Sequence, residues 1–204
     1  MTIEFCASRI AWRQMKIRER IMERKNLWAP WRIGYVQGLG AEAGAADKDK
    51  TTASEDRGCF ICHDLKHRED DGKNLVLWRT DNHLAILNRY PYNNGHLLIA
   101  PVRHIPDLGD LSDAELLEMT KLIRESQKAL SLAIKPHGFN VGMNFGRCGG
   151  AGLPGHLHVH VVPRWDGDTN FMHVCSDTDI ISQSLTELLA LLRQVSKEHN
   201  LPAL

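Results

Sequence analysis

The 204-residue chain lacks an excess of charge: 25 Lys and Arg stand against 25 Asp and Glu, for a formal net charge of zero. That balance, at a pI of about 7.2, argues against bulk electrostatic binding to nucleic acid, which scales with the number of phosphates neutralised. Small anionic ligands stay open, because a local cluster can hold them. Long hydrophobic runs are also lacking. No stretch approaches the roughly 18 apolar residues of a membrane span, and the basic N-terminus has no apolar core of the kind a signal peptide needs. Cysteine is scarce and odd in number, five in all, with two in one Cys-x-x-Cys. This suits a reducing cytoplasm better than a disulfide framework. The expected setting is therefore cytoplasmic, with small molecules rather than membrane or nucleic acid as partners.

The stretch Gly155 to Pro163 organises what is there. His156, His158 and His160 alternate with Leu157, Val159 and Val161. Branched apolar residues at period two read as a β-strand, on which residues i, i+2 and i+4 share a face. The three imidazoles should line one face while the apolar residues enter a core. Two chemistries fit such a row. It can be a catalytic metal site on all three histidines, or its middle imidazole can be a nucleophile toward phosphorus, oriented by the outer two.

The length suits one domain with appendages. Residues 1–26 form a basic N-terminal extension, with Ile10, Trp12, Ile17 and Ile21 among its cations. Residues 27–58 are an aromatic segment plus a flexible linker: Trp28, Trp31 and Tyr35 should pack on the domain or across a subunit interface, and the run from Gly38 to Gly58 has no apolar periodicity. Residues 59–204 form the folded domain. It opens on Cys59-Phe60-Ile61-Cys62-His63, which reads as half of a zinc site rather than a haem attachment or redox dithiol. The remaining ligands must come from afar, with His63, His67, His83, His104 and His156 as candidates.

Short apolar runs at Leu75–Trp78, His83–Asn88 and His96–Pro101, separated by turn residues, predict a strand meander. Ser112-Asp113-Ala114-Glu115 is a capping-box start. The helix it opens should bury Leu116, Met119, Ile123, Leu130 and Ile134, and end at Lys135-Pro136. A further strand over 138–145 should place Phe139, Val141, Met143 and Phe145 on one face, opposite Asn140 and Asn144. The glycine-rich run from Gly146 to Gly155 then turns the chain back, and can aim backbone N–H groups at phosphate. A last helix is expected from about Asp179 to Glu198, with Ile180, Ile181, Leu185, Leu188, Leu189, Leu191 and Leu192 as its apolar face.

The register His-φ-His-φ-His-φ-φ, where φ is apolar, resembles the signature of the histidine triad nucleotide hydrolases and transferases. Asn88 to Pro101 is a second match to that superfamily. The resemblance implies an α+β HIT-like fold, an antiparallel β-sheet with a long helix packed on it and a C-terminal helix, and a homodimer. It implies catalytic roles for His158 as nucleophile, His160 at the α-phosphate, and His156. Substrate contacts carried over the same way are Asn88 to the ribose, Ile86 to the base, His96 near the site, and Asn144 and the loop around Gly152 to phosphate. The loop departs from the family pattern, since Ala151-Gly152-Leu153 offers no hydroxyl and backbone N–H groups must serve. Within the superfamily, galactose-1-phosphate uridylyltransferases hold a structural zinc through parts that stand here, in order, as Cys59, Cys62, His104 and His156. They carry Gln where this chain has His160, which argues against sugar-nucleotide transfer. Trp28 to Arg32, the Leu87–His96 stretch, Gly138 to Asn144 and the triad together look most like bacterial diadenosine tetraphosphate phosphorylases, also called ATP adenylyltransferases. The implied reaction is nucleotidyl transfer through an AMP-histidine intermediate, with inorganic phosphate as a possible acceptor. Hydrolysis of dinucleoside polyphosphates or AMP-amidates is the alternative, and a non-catalytic nucleotide sensor is a third reading.

Overall fold

A computed structural model describes residues 58–168 and 181–204. The expectations for the basic extension, the aromatic segment and the linker before Gly58, and for Ile180 in the last helix, lie outside the described residues.

The described residues open with a short helix, α1 (Phe60–Lys66), capped by the Cys59 side chain, which accepts from the Cys62 N–H at 3.5 Å. Three strands follow, β1 (Val76–Arg79), β2 (His83–Leu87) and β3 (Leu97–Pro101). After them come the long helix α2 (Asp113–Ile134), β4 (Gly138–Met143), β5 (Val159–Arg164) and α3 (Leu185–Glu198). The five strands form one antiparallel sheet in the order β1-β2-β3-β5-β4. The fold is α+β, as the resemblance implies.

The sheet has two differently furnished faces. Ala85, Leu87, Leu97, Ile99, Val159 and Val161 point toward α2 and α3, where they join Met119, Leu122, Leu130, Leu188 and Leu192 in the main core. Leu84, Ile86, Leu98 and Ala100 point the other way and pack with Ile61 and the two α1 cysteines. Directly paired residues share a face. Because Leu98 pairs with His160 in β3·β5, the triad imidazoles belong to the face that α1 covers. Burial agrees: Leu157, Val159 and Val161 are 3%, 0% and 0% exposed on the core side.

Local chemistry explains the boundaries. Ser112 and Glu115 form the expected reciprocal capping box, and Lys135, in the left-handed region at φ 48°, ends α2. Gly95, at φ 78°, lies so close to α2 that an added Cβ would sit 2.7 Å from Ile134 Cδ1 and 2.9 Å from Leu130 Cδ2. Only glycine fits there, and it delivers His96 to the start of β3.

Three expectations need correction. The last helix starts at Leu185, not near Asp179, because Ser184 caps it through the Glu187 N–H at 3.2 Å and Ile181 precedes the cap. The regular strand of the triad starts at Val159, since pairing with both β3 and β4 stops there; His156 and His158 lie on its lead-in. Val141 and Phe145 are each 43% exposed. Val141 is on β4, an edge strand, and Phe145 lies beyond the last residue of β4, Met143.

Candidate active site and metal centre

The lead-in to β5 presents His156 and His158, β5 itself presents His160, and each ring has different surroundings. The His156 ring is buried. Its Nε2 lies 2.8 Å from the Pro101 carbonyl oxygen, which can only accept, so Nε2 carries the proton. Nδ1 therefore presents a lone pair, 3.3 Å from Cys59 Sγ and 3.5 Å from Cys62 Sγ. Cys62 Sγ is in turn 3.1 Å from His104 Nδ1. One ligand atom from each of Cys59, Cys62, His104 and His156 lies within 4.8 Å of every other. A tetrahedral zinc with bonds of about 2.0–2.3 Å has edges of about 3.5 Å between ligands, so these atoms fit such an ion in both donor type and spacing. The Pro101 carbonyl supplies the outer hydrogen bond that fixes a metal-binding imidazole.

The metal cluster draws on three separate parts of the chain. Cys59 and Cys62 come from the cap and first turn of α1. His104 follows β3, on a loop tied to α2 by Arg103, whose Nε and Nη2 donate to the two Glu115 oxygens at 2.8 and 2.9 Å. Arg103 and the Ser112 cap together hold the Glu115 carboxyl down at about 2. Gly155 leaves room for His104, whose Nε2 would be 3.3 Å from an added Cβ. The Leu157 N–H donates to the Ile105 carbonyl at 2.7 Å, binding the His104 loop to the triad segment. Of the other histidines considered for the metal, His63 and His67 stack on each other at 4.2 Å between centroids. His83 is buried at the start of β2 against Glu118, with its Nδ1 3.2 Å from Oε1.

His158 is buried and turned the opposite way. Its Nδ1 donates to the His156 carbonyl oxygen at 2.8 Å, so Nε2 holds the free lone pair. His160 is set by a chain of contacts that starts at a peptide group. The Tyr92 backbone N–H can only donate, and it meets His96 Nδ1 at 3.1 Å. His96 Nε2 must then carry its proton, which it donates to His160 Nδ1 at 2.9 Å. His160 Nε2 is left as an N–H donor, buried and without a partner among the described residues. Asn88 supports the chain: its Oδ1 accepts from the Tyr90 N–H at 3.0 Å, which turns Nδ2 to His96 Nδ1 at 3.2 Å. Tyr92 covers the pair, 4.7 Å from the His96 ring and stacked at 5.7 Å on His160.

Burial favours the neutral form of His96, His156 and His160. Burial, and secondarily the neighbouring His160 and His158, push His96 down to about 3. Burial lowers His156 to about 4 against the opposing pull of the Pro101 carbonyl, with His104 and His158 adding to the fall. His160 is lowered by the same desolvation and by His158. A free Nε2 lone pair on His158 beside an Nε2–H on His160 is the arrangement in-line attack on a phosphoryl group needs: a nucleophile, and a donor for the equatorial oxygen.

The remaining expected positions lie in a pocket and on the glycine-rich loop. Ile86 and Asn88 line a pocket of about 340 Å³ together with Phe60, Asp64, Leu75 and Tyr90. Asn144 donates to the Gly150 carbonyl at 3.4 Å and so braces the glycine-rich loop. Gly149 cannot be replaced there, since an added Cβ would meet Phe145 O at 2.3 Å. Gly152 lies on the exposed part of the loop with open space around its Cα. The three triad rings do not converge on a common metal; among the described residues the metal-capable group is Cys59, Cys62, His104 and His156.

Sequence reasoning missed three features. It left His96 merely near the site, whereas it is bonded to His160 across 64 positions of chain. It passed over Tyr92, which both donates to and covers that pair. It also passed over Phe60 and Asp64, and weighed His63 only as a metal ligand. Their i, i+3, i+4 spacing, one helical face beside the cysteines, was the available signal.

Residues 70–167 match the HIT domain. The chain is 38% identical over 168 residues to the AP-4-A phosphorylase of Mycobacterium tuberculosis, covering 82% of each protein. It is 33% identical over 93 residues to the asymmetrical bis(5'-nucleosyl)-tetraphosphatase of Schizosaccharomyces pombe, covering 46% of this chain and 50% of that one. Among solved structures, a zinc-bound histidine triad family protein from Mycobacterium smegmatis superposes with a TM-score of 0.56 at 24% identity, over 70% of this chain and 96% of that one. A hypothetical histidine triad nucleotide-binding protein from Sulfolobus tokodaii gives 0.56 at 26%, over 69% of this chain and 93% of that one. This chain belongs to the HIT-domain family.

Proposed function

We propose that the protein is a nucleotidyltransferase of dinucleoside polyphosphates, cleaving diadenosine tetraphosphate by phosphorolysis to ADP and ATP. The observation that carries this reading is the opposed pair of nitrogens, the bare Nε2 of His158 beside the Nε2–H of His160. Similarity to the M. tuberculosis AP-4-A phosphorylase over most of both chains supports the substrate class.

In the proposed reaction, the pocket at Ile86 and Asn88 holds one nucleoside. His158 Nε2 attacks the α-phosphorus in line, and the bond to the bridging oxygen breaks, releasing ATP. The His160 N–H and backbone N–H groups of the glycine-rich loop take the charge on the equatorial oxygens. The AMP now on His158 passes to inorganic phosphate, giving ADP, or to water, giving AMP. The His156 carbonyl holds the Nδ1 proton throughout, so the attacking imidazole keeps one tautomer. Cys59, Cys62, His104 and His156 would hold a structural zinc, which fixes α1 and the His104 loop against the triad segment. A homodimer and a cytoplasmic setting complete the reading. Among the described residues no helix is long and apolar enough to cross a membrane.

The test is to incubate the protein with diadenosine tetraphosphate, with and without millimolar phosphate, and separate the products. ADP plus ATP that require phosphate support phosphorolysis. AMP plus ATP in both conditions keep the His158 intermediate but make water the acceptor. No turnover in either condition rejects the proposal.

A further inference from the structure

The metal-clamp helix carries a second set of side chains that the proposed chemistry does not use. Cys59 and Cys62 face the metal cluster, whereas Phe60, His63 and Asp64, on the adjoining face of α1, line the 340 Å³ pocket shared with Ile86 and Asn88. Asp64 is the unusual member. Its residue is 6% exposed, and a carboxylate in such a place is ordinarily paired with a cation. Here the nearby guanidiniums are engaged elsewhere. Arg79 bonds the Asp71 carboxylate and the backbone carbonyls of Asp64 and Leu65. Arg89 donates to the Lys73 carbonyl. The partner of the Asp64 side chain is His63, whose Nδ1 is 3.2 Å from Oδ1. That leaves Oδ2 as an acceptor in a pocket with apolar walls at Phe60, Leu75, Ile86 and Leu87, where the other polar lining includes Asn88 and Asn74, whose Nδ2 is a donor without a partner among the described residues rather than an acceptor.

We infer that Asp64 is the residue that recognises the base, accepting an N–H from its exocyclic amino group. The inference rests on the proposed use of this pocket for a nucleoside. An apolar slot holds a purine by its faces but cannot tell one ring edge from another. Discrimination needs a polar group that a wrong ligand leaves unpaired. Asn88 stands at the end of the pocket next to His96, suited to the sugar, and Asp64 on α1 stands where an edge of the base can reach it. The ligand class is therefore a nucleotide whose base carries an amino group, and the same helix that clamps the metal sets base preference.

The experiment is calorimetric titration of the full-length protein with AMP and with purine riboside 5'-monophosphate, which differs from AMP only in lacking the amino group. The wild type should bind AMP about tenfold more tightly or better, the strength of one hydrogen bond to a charged acceptor. In Asp64→Ala the two affinities should become equal through loss of AMP binding, with purine riboside monophosphate unchanged. Asp64→Leu, which keeps the volume without an acceptor, should do the same and replaces Asp64→Ala if that variant does not fold. A structural role for Asp64 would weaken both ligands alike. Equal affinities in the wild type, a ratio that survives both substitutions, or parallel losses overturn the assignment. Failure of AMP to bind the wild type at all overturns it together with the proposed function, whereas binding without discrimination overturns Asp64 alone.

Discussion

His156 and His160 lie four residues apart on one face of one extended segment, yet their rings are wired in opposite directions. At His156 the Nε2 proton is spent on the Pro101 carbonyl, and Nδ1 offers a lone pair to the cysteine cluster. At His160 it is Nδ1 that is filled, by the proton of His96, and Nε2 offers a proton to the site. His158, between them, offers a lone pair from Nε2. Residue type and spacing are the same throughout. What differs is the backbone group or ring that satisfies the second nitrogen, and that alone leaves a lone pair on His156 Nδ1, a lone pair on His158 Nε2 and a proton on His160 Nε2.

The comparison breaks most sharply at its centre. His158→Asn should lower kcat about 10⁴-fold or more while AMP still binds, because a nucleophile is removed and the pocket is not; turnover near the wild-type rate would reject the nucleophile assignment. His160→Ala should lower kcat about 10²-fold, the scale of one donor lost from a charged transition state, with zinc content unchanged. At the other end the effect should fall on folding. Cys62→Ser, or chelation, should lower the melting temperature by on the order of 10 °C. A melting curve indifferent to both would remove the metal from the structure.

Acid should sharpen the same contrast. Folded His96 takes a proton only near pH 3, against 6.5 for an ordinary histidine. The unfolded chain therefore binds the proton first. Stability is unaffected by this group above about pH 6.5 and falls as pH drops from there toward 3, by at most about 1.4 kcal/mol per pH unit. Urea midpoints at pH 7 and pH 5 measure it, and His96→Asn should flatten the dependence. The smallest effect belongs to neither end. Trp78→Phe removes the 3.1 Å bond from Nε1 to Ser196 Oγ, between β1 and α3. It should cost about 1 kcal/mol in denaturant melts and leave product formation and metal content alone.

Much of this was legible in the chain because it is local. The alternation of His156, His158 and His160 with Leu157, Val159 and Val161 translates directly into two sides of a strand. The Ser112–Glu115 box announces the start of α2. The features that were not legible depend on what arrives from a distance. The His96–His160 bond needs β3 and β5 to be neighbours, which no spacing reveals. Val141 and Phe145 look like core residues until β4 is seen to be an edge that stops at Met143. Glu125 and Ser126 look like surface residues, yet both are buried in α2. The Ile180-Ile181 pair continues an apolar helical pattern, and only the Ser184 cap shows where the helix begins. Which histidines join the cysteines could not be read from spacing; among the described residues the cluster takes His104 and His156, in agreement with the family resemblance.

The direction of protons through His96 and His160 originates in the amide of residue 92, seconded by the Asn88 side chain. Every non-proline amino acid supplies that amide, so drift at position 92 can exchange the aromatic cover and still hand the same orientation to the site. A comparison of relatives that scores only side chains would see a variable position there. Proline is the one replacement that removes this donor, and it would leave Asn88 Nδ2 alone to hold the order.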